Sequence, residues 1–267
     1  MSQAQRIIKY IAIAFAVLLI FSIVSGIMYG ILAFTNVFSN NDDAILENLK
    51  ELPVTNNALF LDVEVGSASI IIKQGERLRV ETNNKYIRLE ENGDRLSITE
   101  KKHNWVGNKN SELVIYIPEN YTFDDVNFET GAGRIDIYSL TTKSLDFDLG
   151  AGEVIIDNLD VANEASIEGG AGKVSILNGS MNNLELDMGV GEVSITSKIT
   201  GNSNINAGVG KMVLKLLDSD YKIKIDKGIG NATVNNEKVV DSSYYGSGKN
   251  IIDIDGGVGN IEVSYGV

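Results

Sequence analysis

The sequence predicts an all-β domain built as a single-stranded parallel β-solenoid, or β-helix, of 19-20-residue coils, preceded by one transmembrane α-helix. Three observations lead there. A Gly-x-Gly pair recurs at Gly131/Gly133, Gly150/Gly152, Gly170/Gly172, Gly189/Gly191, Gly208/Gly210, Gly228/Gly230 and Gly257/Gly259, and the first five steps are 19 or 20 residues. Apolar and polar residues alternate between the pairs, and an apolar run without charge, Tyr10 to Phe34, stands ahead of them. Self-similarity at such a period marks one small unit that cannot bury its apolar face alone and stacks on copies of itself.

The apolar run, at about 1.5 Å per helical residue, is long enough to cross a ~30 Å hydrocarbon core. A cleaved signal peptide would carry an apolar region of roughly 7 to 15 residues and then a small-residue cleavage site, so an uncleaved anchor fits better. Arg6 and Lys9 precede the run, and Asp42, Asp43 and Glu47 follow it. That asymmetry places the N-terminus in the cytoplasm and the remainder outside. Within the run Ser22, Gly26 and Gly30 recur every fourth residue. Such a stripe lets two helix backbones approach closely in lipid, which suits a homodimer or a membrane-protein partner, although small residues are common in membrane helices anyway. Residues 1-34 therefore read as a cytoplasmic N-terminus and a single-pass anchor. Residues 35-55, rich in Asn, Asp and Glu with Pro53 near the end, read as a polar stalk with a turn or two of helix at Ala44 to Leu52.

Residues 56-267 form the extracytoplasmic solenoid, long enough to bury one continuous core. It opens on a degenerate coil, Val63 to Ile72, followed by alternating segments near Leu78 to Glu81, Leu96 to Thr99 and Leu113 to Ile117. Pro118, which cannot donate to a ladder, closes the last of these. Terminal repeats of solenoids are atypical because they cap the stack, so this stretch is the expected N-terminal cap. In the regular coils Leu184, Leu186, Met188 and Val190 share one face against Glu185 and Asp187. After the second glycine the parity slips by one, with Val193 and Ile195 next inward, and a glycine corner is the device that permits the slip. Lys227 breaks the rule, since parity turns it inward. The last interval, 29 residues, contains Asp241 to Asn250, which reads as an exposed loop.

Alignment on the first glycine reveals two charged columns. Directly after the second glycine stand Arg134, Glu153, Lys173, Glu192 and Lys211, alternating in sign, then Asn231 and Asn260. With coils about 4.8 Å apart, each charge would face opposite charges above and below. Two residues before the first glycine stand Glu64, Glu129, Asp148, Glu168, Asp187, Asn206, Asp226 and Asp255, seven of eight acidic. Like charges in neighbouring strands repel unless screened, paired or occupied by cations. This ridge is therefore the candidate binding surface, widened by Asp62, Asp146, Glu185 and Asp253 and interrupted by Lys224. The bland alternative is a solvated acidic face that keeps the domain soluble.

Composition excludes other functions. A net charge of −13 opposes nucleic-acid binding, which needs basic surface. The absence of cysteine removes disulfides, thiol catalysis and Cys-based metal sites, and the one histidine, His103, has neither a second histidine nor a triad around it. Trp105, the one tryptophan, reads as packing over the cap. The glycines lack the spacing and the following helix of a phosphate loop, and Gly169-Gly170-Ala171-Gly172-Lys173-Val174 lacks the aspartate of calcium-binding repeats. No cofactor or catalytic metal is expected. Stacked carboxylates on a β-helix can serve polysaccharide hydrolysis, but that needs one perturbed pair in a groove. The uniform column gives no such pair, so the chain does not read as an enzyme.

The anchor, the Val-Glu-Val-Gly-Ser-Ala-Ser opening at 63-69 and the Gly-Ala-Gly or Gly-Val-Gly coils resemble an uncharacterised β-strand-repeat, adhesin-like family of bacterial envelope proteins, similar to toastrack domains. The resemblance covers about residues 56 to 267 and supplies no catalytic residues. It implies a sensory or scaffolding module at the bacterial cell membrane, to which the acidic ridge adds cations or cationic peptides as candidate ligands, with an adhesin or structural spacer as the alternative.

Overall fold

A computed structural model describes residues 45–101, 111–240 and 243–266 of the protein. The apolar run, the Ser22, Gly26 and Gly30 stripe, His103 and Trp105 lie outside the described residues. Among the described residues all regular structure is β, and no helix is long and apolar enough to cross a membrane.

In chain order the strands are β1 (Ile45–Leu52), β2 (Phe60–Gly75), β3 (Arg79–Asn84), β4 (Ile87–Asn92), β5 (Arg95–Glu100), β6 (Glu112–Pro118) and β7 (Phe123–Ile176). There follow β8 (Gly179–Asn182), β9 (Leu184–Thr200), β10 (Asn202–Leu216), β11 (Tyr221–Val234), β12 (Glu237–Lys238), β13 (Tyr244–Tyr245) and β14 (Asn250–Tyr265). β7 spans 54 residues because pairing to the layers on either side continues around three glycine corners. Every coil-to-coil pairing from β2 through β14 is parallel and in register, as in Leu61↔Val126, Ile167↔Leu186, Ile205↔Leu186 and Ile205↔Ile254.

The parity slip is visible in the core. Leu184, Leu186 and Met188 are buried, the corner follows, and Val193 and Ile195 are buried in turn. Val190 itself lies half-buried at the corner. Stacked residues form apolar ladders, among them Phe128 against Phe147 with ring centroids 5.0 Å apart and edge to face, both fully buried. Each such ladder rung contributes roughly 1.5–3 kcal/mol of burial.

The corners pack backbone on backbone. The second glycines hold positive φ, for instance 149° at Gly191 and 148° at Gly210, and a Cβ on Gly210 would lie 1.7 Å from the Gly191 carbonyl oxygen. Only glycine permits coils to close at that spacing. The first coil departs from the pattern with a reason. Ala68 occupies the second-glycine position opposite Gly133, and the layer beyond it is split, β5 ending at Glu100 and β6 starting at Glu112. Glu100 accepts hydrogen bonds there from Gly66 N (3.1 Å) and Asn84 Nδ2 (2.9 Å), so side chains fill the corner that backbone fills elsewhere.

The N-terminal cap is built by reversing direction. β5 and β6 pair parallel with the two halves of β2, then β4 and β3 pair antiparallel with β5 and β6, and β1 pairs antiparallel with β3. The change from parallel to antiparallel pairing breaks the coil repeat and covers the edge of the first coil. The expected helical turn at Ala44 to Leu52 is thus corrected, because Ile45–Leu52 is a strand. A segment this short has little helical stability of its own, and pairing with the open edge of β3 outweighs it. Its end joins the domain, with Leu52 against the core and Glu51 paired to Arg77 at 2.5 Å.

The C-terminal end departs from simple sequential stacking. The last coil is not last in space, since β14 lies between β10 and β11, parallel to both. Of the exposed loop expected at Asp241 to Asn250, residues 243–250 are described; Tyr244, Gly246, Ser247 and Lys249 are exposed, and the Tyr244–Tyr245 pair ties the segment to β11. β12 and β13 run back antiparallel along the outer edge of β11, Val239 is buried and Tyr245 packs against the core, while Tyr244 is exposed beneath the Lys222 ammonium at 4.3 Å. Lys227 is accommodated in this outermost coil, half-buried, because its register partner Gly256 brings no side chain against it. Ile229 at the same corner is 49% exposed, since no coil stacks beyond it.

Candidate functional site

The alternating column is a physical ladder. Arg134 donates to Glu153 and, at 2.6 and 2.7 Å, to Asp136, and Lys173 Nζ lies 3.8 Å from Glu153. Register places Lys173 beside Glu192, Glu192 beside Lys211, and Lys211 beside Asn260, which stands next to Asn231. These side chains are substantially solvated, so each contact is weak and screened by salt. Lys173→Glu is expected to lower Tm by about 1–3 °C relative to Lys173→Gln. The gap should close in molar salt, and equal Tm values at low salt would show that the ladder contributes nothing. Exchanging Glu153 and Glu192 for lysine as well would restore only part of the loss, because it sets like charges against Arg134 and Lys211.

The acidic column is also continuous. Glu64 is in register with Glu129, Glu168 with Asp187, Asp187 with Asn206, Asn206 with Asp255, and Asp255 with Asp226. Gly150 stacks on Gly131 and Gly170 on Gly150, which puts Asp148 between Glu129 and Glu168. The spatial order thus ends Asp255, Asp226, the reverse of the chain order.

Charge along this ridge is uneven. At the C-terminal end Asn206 donates to Asp187 at 2.5 Å and Lys224 to Asp226 at 2.5 Å, a bond that raises the lysine's pKa. At the N-terminal end Arg95 pairs with Asp62 at 2.5 Å. Nearby, burial and then the Asp62 charge push Asp125 above the usual carboxylate range, with Arg95 opposing and Asp146 adding to the rise. Between these ends Glu129, Asp148 and Glu168 are all exposed and make no hydrogen bond or ion pair among the described residues. Three successive coils thus each carry an exposed, unneutralised carboxylate in one column.

Among the described residues no three carboxylate or histidine side chains converge so as to hold a metal ion. The ridge is a line of charges at the strand spacing of about 4.8 Å, with no cage. Its chemistry suits an extended polycation, whose charges can match the repeat, better than one divalent ion, which needs six or more converging oxygens.

These features define an all-β solenoid with parallel glycine-cornered coils, an antiparallel cap and an acidic ridge. The chain belongs to the Toastrack DUF4097 family, whose model matches residues 57–254. No curated protein matches it. Among solved structures it is similar to a "putative adhesin" from Bacteroides fragilis NCTC 9343, at 17% identity over 82% of this chain and 98% of that one, with a TM-score of 0.56. A "putative cell adhesion protein" from Clostridium sporogenes ATCC 15579 is 21% identical over 82% and 99% of the two chains, with a TM-score of 0.41. A "putative lipid binding protein" from Parabacteroides distasonis ATCC 8503 is 15% identical over 81% and 96%, with a TM-score of 0.38. Identities this low speak to the fold.

Proposed function

We propose that the protein is an adhesin-like binding module of the bacterial cell envelope, held at the membrane by its N-terminal apolar run, that engages a cationic partner along Glu129, Asp148 and Glu168. One observation carries the reading. The neighbouring charged column neutralises itself from coil to coil, whereas these three carboxylates stand exposed and unpaired in successive coils. Their mutual repulsion is a standing cost that a bound polycation would relieve. The adhesin name of the Bacteroides fragilis structure agrees with a surface-binding role. A sensory or scaffolding use would employ the same ridge, and the reading assigns no catalysis to it.

The test is calorimetric titration of the full chain, kept in zwitterionic micelles, with an octalysine peptide. Binding is expected to weaken steeply as salt rises, and the Glu129→Gln, Asp148→Asn, Glu168→Gln variant should lose it while its Tm rises at low salt. Absence of binding, together with an unchanged Tm in the variant, would leave the ridge as a solvated face and favour the spacer reading.

A further inference from the structure

A second surface lies apart from the ridge, where the loose turns of the first coils meet the turn between β6 and β7. There the chain leaves a depression of about 350 Å³, within the size range of small-ligand sites. Its lining combines Tyr138, Asn158 and Asp160 with Lys73, Glu119 and Asn120. Tyr138 is 58% exposed, an outward-facing aromatic on the rim of this depression. The walls beside it are held in place. Asp160 accepts from Asn158 Nδ2 and from Ser180 Oγ, both at 2.8 Å, and Asn158 Oδ1 accepts from Asn178 Nδ2 at 3.2 Å. Asn120 fixes the facing turn with φ at 61°.

We propose that this depression binds a short neutral oligosaccharide. A pyranose offers an apolar C–H face and a rim of hydroxyls. The flat exposed ring of Tyr138 supplies a surface for the first at little entropic cost, because only two side-chain torsions need be fixed. Asp160 supplies an acceptor for the second. A carboxylate has about four lone-pair sites, and two are occupied by bonds that orient the group, which leaves the others for ligand hydroxyls. The rim carries both signs, Lys73 against Glu119 and Asp160, so neither a polyanion nor a polycation is favoured. Tyr121, Pro118 and Ile117 also line the depression, but Ile117 is buried and Tyr121 is half-buried with its hydroxyl donating to the Ala58 carbonyl, so Tyr138 offers the more exposed ring and no deep apolar pocket stands ready for a hydrophobic peptide anchor.

The experiment is ligand-observed NMR on the full chain in zwitterionic micelles, with chitotetraose, cellotetraose and maltotetraose at millimolar concentration. Saturable binding of at least one is expected, insensitive to salt, and preference among the three separates N-acetylated from plain glucan sources. Tyr138→Ala should weaken it at least about tenfold and Tyr138→Phe no more than about twofold, since the ring carries the contact. Asp160→Asn should also weaken it, while the Glu129→Gln, Asp148→Asn, Glu168→Gln ridge variant should bind sugar unchanged. No saturable binding of any of the three sugars, or binding indifferent to Tyr138→Ala in a variant of unchanged circular dichroism, would overturn the proposal.

Discussion

Gly210→Ala is expected to destabilise the solenoid by more than about 4 kcal/mol, the range reserved for outright steric failure. Two costs combine. The backbone sits at φ 148°, where L side chains rarely go, and the new methyl carbon would lie 1.7 Å from the Gly191 oxygen and 2.8 Å from its carbonyl carbon. Relief by local movement is blocked, because the next coil repeats the contact, a Cβ on Gly259 lying 1.7 Å from the Gly210 oxygen. Gly93→Ala is the control. That residue also has positive φ, 61°, but nothing lies within 4 Å of the added carbon, so the cost should be about 1 kcal/mol. Urea unfolding of the two variants decides the matter, and comparable losses would mean that the corners do not stack as closely as described.

Deletion of residues 250–267 is expected to disorganise far more than one coil. In a sequentially stacked solenoid, removing the terminal repeat leaves its neighbour exposed but paired on its other side. Here β14 pairs with β10 through Asn202↔Ile251 to Leu216↔Tyr265 and with β11 through Tyr221↔Asn250 to Val234↔Val263. Its removal strips β11 of its parallel partner and takes away the buried Ile252, Ile254, Ile261 and Val263. Amides of Tyr221–Val234 should lose hydrogen-exchange protection in the truncated chain while those of β7 and β9 keep theirs. Retained protection in β11 would show that it can dock directly onto β10.

Much of this architecture is legible in the sequence because glycine leaves a periodic mark. The spacing from Gly131 to Gly210 defines the coil length, and counting back two residues locates every member of the acidic ridge. What is not legible follows from the same logic. A parallel coil reads the same wherever it is inserted, so nothing in Asn250–Tyr265 tells that it enters between β10 and β11. Ile45–Leu52 carries too little pattern to say that an open strand edge awaits it. The loose turns have no marker residue, so Tyr138 and Asp160, 22 positions apart, give no sign of lining one depression. The neutralisation of Asp226 by Lys224 was open to inference, since residues two apart on a strand share a face.

The inserted coil also sets an order of events in time. A chain emerging from its N-terminus can add coils one upon another as far as β10, each templated by a finished edge. The strand that follows in the chain, β11, belongs one layer further out, and its parallel partner, β14, comes after it. Asn250–Tyr265 therefore acts as a bolt that slides in between β10 and β11 to shut the stack. Loop closure of this kind delays the final step of folding without weakening the finished structure. Closure of the stack thus waits on β14, and copies terminated ahead of it are left open at the edge of β10, where proteases can find them.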